Sequence, residues 1–208
     1  RLVALAEERS DVCFMVGHLE RFNPAFIRLA AAVKANWTSD TPVRIEAYRL
    51  GPYDGRIQDV CVVLDLMIHD VDLVAALHPG RSWNIRQALG MSVVTERTDI
   101  AMAEYEWTGN GMVPAHVKLL ASRTHDVKRR VIEVQAGNFA GRADLLNQRV
   151  WLGHGGRDVT EVQCDRGSAL ALQLAHFVAS VRSGTQPAVT ARMAKQALDL
   201  CLDIVQRI

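Results

Sequence analysis

With 208 residues, 49% hydrophobic and 23% charged, the chain can bury a substantial core, and its net charge of +1 gives no electrostatic case for nucleic acid or an anionic membrane as partner. Charges break every apolar stretch well short of the ~20 residues that cross a bilayer, and no basic start followed by an apolar run marks a signal peptide. Cys13, Cys61, Cys164 and Cys201 lack any C-x-x-C or Cys/His ligand spacing, so no metal site is expected and reduced thiols in a cytoplasmic protein are the default.

Residues 1–10 read as the end of an amphipathic helix (Leu2, Leu5, Ala6), already under way at Arg1 as in a fragment of a longer chain. Val12–Val16 reads as a short buried strand closed by Gly17, the way the last unit of a doubly wound sheet finishes. Asn23 can cap, and Pro24 can open, a helix to about Ala35. Pro42 to Leu50 reads as a strand, followed by the loop Gly51-Pro52-Tyr53-Asp54-Gly55. A helix is expected over Asp59 to Leu77, stopped by His78-Pro79-Gly80. The period then changes to two. Ser82–Leu89, Ile100–Trp107, Val113–Ala121, Lys128–Gln135, Phe139–Leu145, Arg149–Leu152 and Val159–Gln163 read as strands joined by Gly109-Asn110-Gly111, Ala136-Gly137-Asn138 and Gly153-His154-Gly155-Gly156. Two helices, about Ser168–Arg182 and Ala191–Ile208, close the chain.

The expected fold is α+β: a large, mostly antiparallel open sheet, built as a meander, with helices on one face. Ile100 and Met102 oppose Tyr105 and Trp107, and Leu120 opposes Val117 and Leu119, so both faces carry apolar residues and the open one suits a partner subunit or a cover of loops.

Read at 100° per residue, Val62–Leu77 is apolar almost all round, which is the pattern of a buried helix. Its polar residues therefore need partners or a task, since buried charge is costly. Asp65, His69 and Asp72 share one narrow arc, while Asp70 points elsewhere and is expected to pair with an arginine or to face a loop. A carboxylate one turn from an imidazole can orient the ring and raise its basicity, as a general base requires. A self-satisfying buried pair has the same spacing, and a metal held by His69, Asp65 and Asp72 is geometrically conceivable. Gly17-His18-Leu19-Glu20-Arg21-Phe22 follows a strand end, where open α/β sheets bind ligands. Arg49 and Arg56 flank a loop before the helix and could grip phosphate or carboxylate. Arg123, Lys128, Arg129 and Arg130 form either a small anion-sized feature or the solvated face of a strand. A hydrolase reading fails for want of a G-x-S-x-G elbow.

Three segments in order, Val16 to Ala25, Val63 to Leu73, and Gln173 to Phe177 with Gly184-Thr185-Gln186-Pro187, resemble the glucose–fructose oxidoreductase/inositol dehydrogenase (Gfo/Idh/MocA) family. The resemblance runs from Val12 to the end. It implies that residues 1–22 are the tail of a Rossmann-type dinucleotide-binding domain and that 23–208 are a C-terminal substrate-binding and oligomerisation domain. It implies NAD or NADP as cofactor, a sugar or sugar nucleotide as substrate, and a homo-oligomer formed through the open sheet face. His69 would take the hydroxyl proton as hydride leaves, with Asp65 orienting it or binding a substrate hydroxyl. His18 and Arg21 would lie at the cofactor, and Asp72 at the substrate. The glycine-rich turn and the Glu-Lys-Pro segment of the family are not among these residues, so the chain by itself is expected to be inactive. Gln173 stands where many members carry Glu. Within the family the segments look most like the UDP-N-acetylglucosamine 3-dehydrogenase branch, which serves lipid A synthesis, and Arg49, Arg56, Arg123 and Lys128 would meet the diphosphate. The alternative is a non-catalytic homologue serving as a binding or dimerisation module.

Overall fold

A computed structural model of the chain describes residues 1–9, 11–77, 82–109, 111–155 and 157–208. The expected stop at His78-Pro79-Gly80 lies outside them, as do Asn110 and Gly156 of two expected turns.

The strands are β1 (Val43–Leu50), β2 (Ser82–Met91), β3 (Ile100–Thr108), β4 (Ala115–Ser122), β5 (Arg129–Ala136), β6 (Phe139–Asp144), β7 (Arg149–His154) and β8 (Arg157–Val162), with period-two burial plainest on β1, β3 and β4. On β1 the residues Val43, Ile45, Ala47 and Arg49 are buried, and on β3 Ala101, Ala103, Tyr105 and Trp107. They form one mixed sheet in the order β2-β3-β4-β1-β5-β6-β7-β8. The simple meander is corrected in one respect. β1, first in sequence, sits in the middle, parallel to β4 (Ile45 opposite Val117) and antiparallel to β5 (Ile45 opposite Val134). A parallel neighbour needs a long crossover, and the residues between β1 and β4 supply one.

The helices α2 (Pro24–Asn36), α3 (Ile68–Leu77) and α5 (Ala191–Val205) cover one face of this sheet. Their buried residues include Phe26, Leu29 and Val33 of α2, Leu73 and Val74 of α3, and Leu200 and Ile204 of α5. Asn23 caps α2 by accepting from the Ala25 amide, with Pro24 in the first turn. On the other face a register shift between Ile85 and Gln87 turns β2 over, so that Leu89 and Met91 join Met102, Leu120 and Tyr48 on the open side. Trp151 lies there too, between the guanidinium groups of Arg142 and Arg149.

Two further expectations are corrected. Residues 12–16 form no strand; Val12 and Phe14 are exposed, and the Val16 amide donates to the Val189 carbonyl while its carbonyl accepts from the His18 amide, because no strand lies alongside among the described residues. The helix expected from Asp59 begins at Val62 and opens with a π-helical turn, Val63–Met67, before α3. The helix α4 (Ala169–Ser183) reverses the usual polarity. It buries Gln173 and Ser180 and exposes Leu170, Leu172, Leu174, Val178 and Val181, and the short helix α1 (Leu2–Glu8) buries nothing. No described helix is long and apolar enough to cross a membrane.

Candidate active site

The π turn is where the chemistry-bearing residues collect. Such single wide turns inside helices recur at functional sites because they shift side chains out of helical register. Asp65 stands on the π turn, and His69, Asp70 and Asp72 follow on the first turns of α3.

Asp70 is 3% exposed and bound by Arg49 of β1, whose Nη2 donates to Oδ1 at 2.8 Å and whose Nε donates to both oxygens at 3.1 Å. Arg49 also donates to Glu20 at 3.1 Å, which accepts from Arg130 at 3.2 Å and from the Asn23 amide at 3.0 Å. Asn23 in turn donates to the Leu145 carbonyl. The 3₁₀ turn Leu19–Phe22 delivers Glu20 inward. Two cations and two anions thus neutralise one another beneath α3. Burial would strip Arg49 of its charge, but Asp70 and Glu20 outweigh it and hold the guanidinium above its ordinary value. Burial likewise raises Glu20, yet Arg49, Arg130 and Asn23 bring it below the usual carboxylate range.

Asp72 is 1% exposed and held in a two-point grip by Arg21, at 2.7 Å to each carboxylate oxygen. His18 Nδ1 lies 3.8 Å from the same carboxylate, and burial lowers its pKa against the pull of Asp72.

His69 differs from all of these. Its Nδ1 is buried without a hydrogen-bond partner. The His18 ring stands edge-on to it, with 6.2 Å between ring centres and 82° between planes. Burial first, then the positive fields of Arg49 and His18, push its pKa down to about 4, with Glu20 opposing. The ring is therefore a neutral proton acceptor at neutral pH. No hydrogen bond joins it to Asp65, so the expected orienting contact is not made here. The half-buried Asp65 has its pKa raised by burial, which Arg123 and Arg56 oppose and Asp54 reinforces.

Of the residues expected to form the site, His18, Arg21, His69 and Asp72 come together, with Asp65 one turn away and Arg49 beneath. Asp72 and Arg49 are bound to protein partners, not open to a substrate. Arg21 spends its fork on Asp72, and the Nδ1 edge of the buried His18 faces the same carboxylate. Arg56 is exposed and bonded to Asp54. Arg123 is 5% exposed and donates to the carbonyls of Ile57 and Val60. Lys128 is exposed on its loop. Glu20 was read only as part of the segment Gly17 to Phe22 and Arg130 only as part of a basic cluster, and the pairing of Glu20 with Arg130 and with Arg49 left no mark in the sequence. The described residues contain no group of three or more His, Cys, Asp or Glu able to hold a metal ion.

No family model matches the chain. It is 33% identical over 155 residues to the UDP-N-acetylglucosamine 3-dehydrogenase of Acidithiobacillus ferrooxidans, a match covering 74% of this chain and 46% of that protein. The chain thus spans about half the length of this relative. A solved structure of the same-named enzyme from that organism superposes with a TM-score of 0.86 at 27% identity, covering 100% of this chain and 65% of that one. An aldose-aldose oxidoreductase of Caulobacter crescentus shares the fold at a TM-score of 0.79 and 14% identity, with 99% of this chain and 66% of that chain covered. A 3-ketoreductase of Actinomadura kijaniata, solved with TDP-benzene and NADP, shares it at 0.78 and 15%, covering 100% and 64%. By sequence and fold together, the chain is similar to these oxidoreductases, in keeping with the resemblance of its motifs to the glucose–fructose oxidoreductase/inositol dehydrogenase family.

Proposed function

We propose that this chain is the substrate-side part of an NAD(P)-dependent dehydrogenase that oxidises a hydroxyl of a sugar nucleotide, specifically the 3-hydroxyl of UDP-N-acetylglucosamine. The observation that carries the reading is the half-buried, neutral imidazole of His69, whose buried Nδ1 has no hydrogen-bond partner, on a π-bulged helix. A base of low pKa suffices because the hydroxyl proton becomes strongly acidic as hydride leaves the same carbon. His69 accepts that proton, and Asp65 sits one turn away as a hydrogen-bonding group for a neighbouring hydroxyl. A bound nicotinamide would supply the hydride acceptor. The ion pairs of Arg49 and Arg130 with Asp70 and Glu20 hold α3 in place, and burial together with the two arginines keeps His69 neutral against the pull of Glu20.

The apolar outer face of α4 and the exposed Leu2, Leu5, Val12 and Phe14 support a dinucleotide-binding domain against this side of the chain. With such a domain present in the full-length polypeptide, NAD+ or NADP+ reduction is expected with UDP-N-acetylglucosamine, and much weaker reduction with free N-acetylglucosamine. Equal rates with both sugars would remove the nucleotide from the substrate class. Reduction with neither sugar would remove the activity.

The open sheet face, with Leu89, Met91, Met102 and Leu120 exposed or half-buried, supports pairing with a second copy. Leu120→Arg places a charge in its middle and is expected to lower the sedimentation coefficient to that of a smaller species. An unchanged coefficient would exclude this face from the assembly.

A further inference from the structure

Arg123 was expected to meet a substrate diphosphate, and its surroundings give it a different task. Its side chain is 5% exposed and reaches back across the strand ends, where Nη1 donates to the Ile57 carbonyl at 2.8 Å and Nη2 to the Val60 carbonyl at 2.6 Å. Its Nε faces Asp99 Oδ1 at 3.5 Å, a charge contact and not a hydrogen bond. Its own amide donates to the Asp99 carbonyl at 3.0 Å.

Asp99, fully buried, is itself fixed by a cradle of donors. Oδ2 accepts from the consecutive amides of Val93, Val94 and Thr95 at 2.7, 2.7 and 2.9 Å, and Oδ1 accepts from the Thr95 hydroxyl at 2.7 Å. These donors outweigh burial and bring its pKa down to about 2, so the carboxylate is a permanent anion in use. Beside it, Thr98 accepts from the Val62 amide at 2.8 Å. One ion pair therefore ties three segments: the turn after β2, the end of β4, and residues 57–62. The last of these runs directly into the π turn, where the Asp65 amide hangs from the Cys61 carbonyl at 3.1 Å.

We infer that Arg123, anchored by Asp99, is a positioning residue that fixes the segment leading into the π turn and so sets where Asp65 stands. The inference rests on the reading of His69 as proton acceptor and Asp65 as the group that holds a neighbouring substrate hydroxyl, together the reacting pair. Arg123 spends its fork on two backbone carbonyls, and its remaining influence on the site is through space. Its positive charge acts on Asp65, opposing the effect of burial on that carboxyl. Misplacement of a site group by about 1 Å can cost about a hundred-fold in rate.

The test uses the full-length polypeptide with UDP-N-acetylglucosamine and NAD+, together with hydrogen–deuterium exchange. In Arg123→Ala, amides 62–67 are expected to exchange at least about ten-fold faster, kcat to fall about a hundred-fold at unchanged KM, and the acidic limb of the kcat/KM profile to move to higher pH. Arg123→Lys keeps the charge but not the fork. It should leave that limb in place and recover only part of the rate. Should Arg123→Ala fail to fold, the Lys variant and Asp99→Asn carry the same readouts. A rise in KM for the sugar nucleotide at unchanged kcat would overturn the inference and return Arg123 to the substrate. Unchanged exchange would overturn the clamp alone. Wild-type turnover in Asp65→Asn would instead bring down the reading of the reacting pair, and the positioning role with it.

Discussion

His69→Ala in the full-length polypeptide is expected to lower kcat by about a hundred- to ten-thousand-fold, the usual worth of one proton-transfer residue, with little change in KM. The ring is half-buried and its Nδ1 has no hydrogen-bond partner, so its loss should leave the fold intact. The same variant should change how stability responds to acid. Folded His69 has a pKa of about 4, against 6.5 unperturbed. Between those values the unfolded chain binds a proton that the folded one refuses, so stability rises with pH across this window and is lost as pH falls from 6.5 towards 4. The shift corresponds to roughly 3 kcal/mol of lost stability at the acid end. Denaturant titrations of wild-type and His69→Ala protein at several pH values measure it as a difference. Wild-type turnover in the variant would sink the catalytic assignment, and parallel acid curves would sink the pKa.

Asp70→Ala is expected to cost about 3–5 kcal/mol, because it leaves the Arg49 guanidinium buried with Glu20 as its remaining anion, which Arg130 already shares. That is a large part of the ~5–15 kcal/mol that holds a domain together. It should appear as a lowered denaturant midpoint. Removing the partner as well, in Arg49→Met with Asp70→Leu, should recover much of the loss, since the uncompensated charge causes the damage. A comparison variant, Arg56→Ala, breaks an exposed pair and should stay within ±0.5 kcal/mol. An Asp70→Ala midpoint equal to that of Arg56→Ala would show that the buried cluster contributes nothing.

The strands were legible because their alternation is local. β5 was expected at Lys128–Gln135 and lies at Arg129–Ala136; β3 and β6 agree as closely. The insertion of β1 between β4 and β5 was not, because pairing partners far apart in sequence leave no mark on either strand alone. The buried helix and the arginine partner of Asp70 followed from the cost of burying charge, and Arg49 proved to be that partner. Arg21, Arg49 and Arg123 were assigned to ligands because the guanidinium fork that suits phosphate suits a buried carboxylate or a carbonyl equally well. Only tertiary geometry tells these apart. The π turn was equally hidden, since Val63–Met67 has the composition of any apolar helix start and its widening comes from the bonds of Val62 and Cys61 to their neighbours.

The central place of β1 links folding to assembly of the site. Strands β2–β4 and β5–β8 are each joined by short connections and can zip up from their own turns. Neither group touches the other except through β1, whose entropy cost of closing long loops falls on both sides at once. That strand also carries Arg49, the hub of the charges under His69. Seating this keystone unites the two half-sheets and neutralises the cluster in one event, and heat or a mutation that loosens it takes both away together.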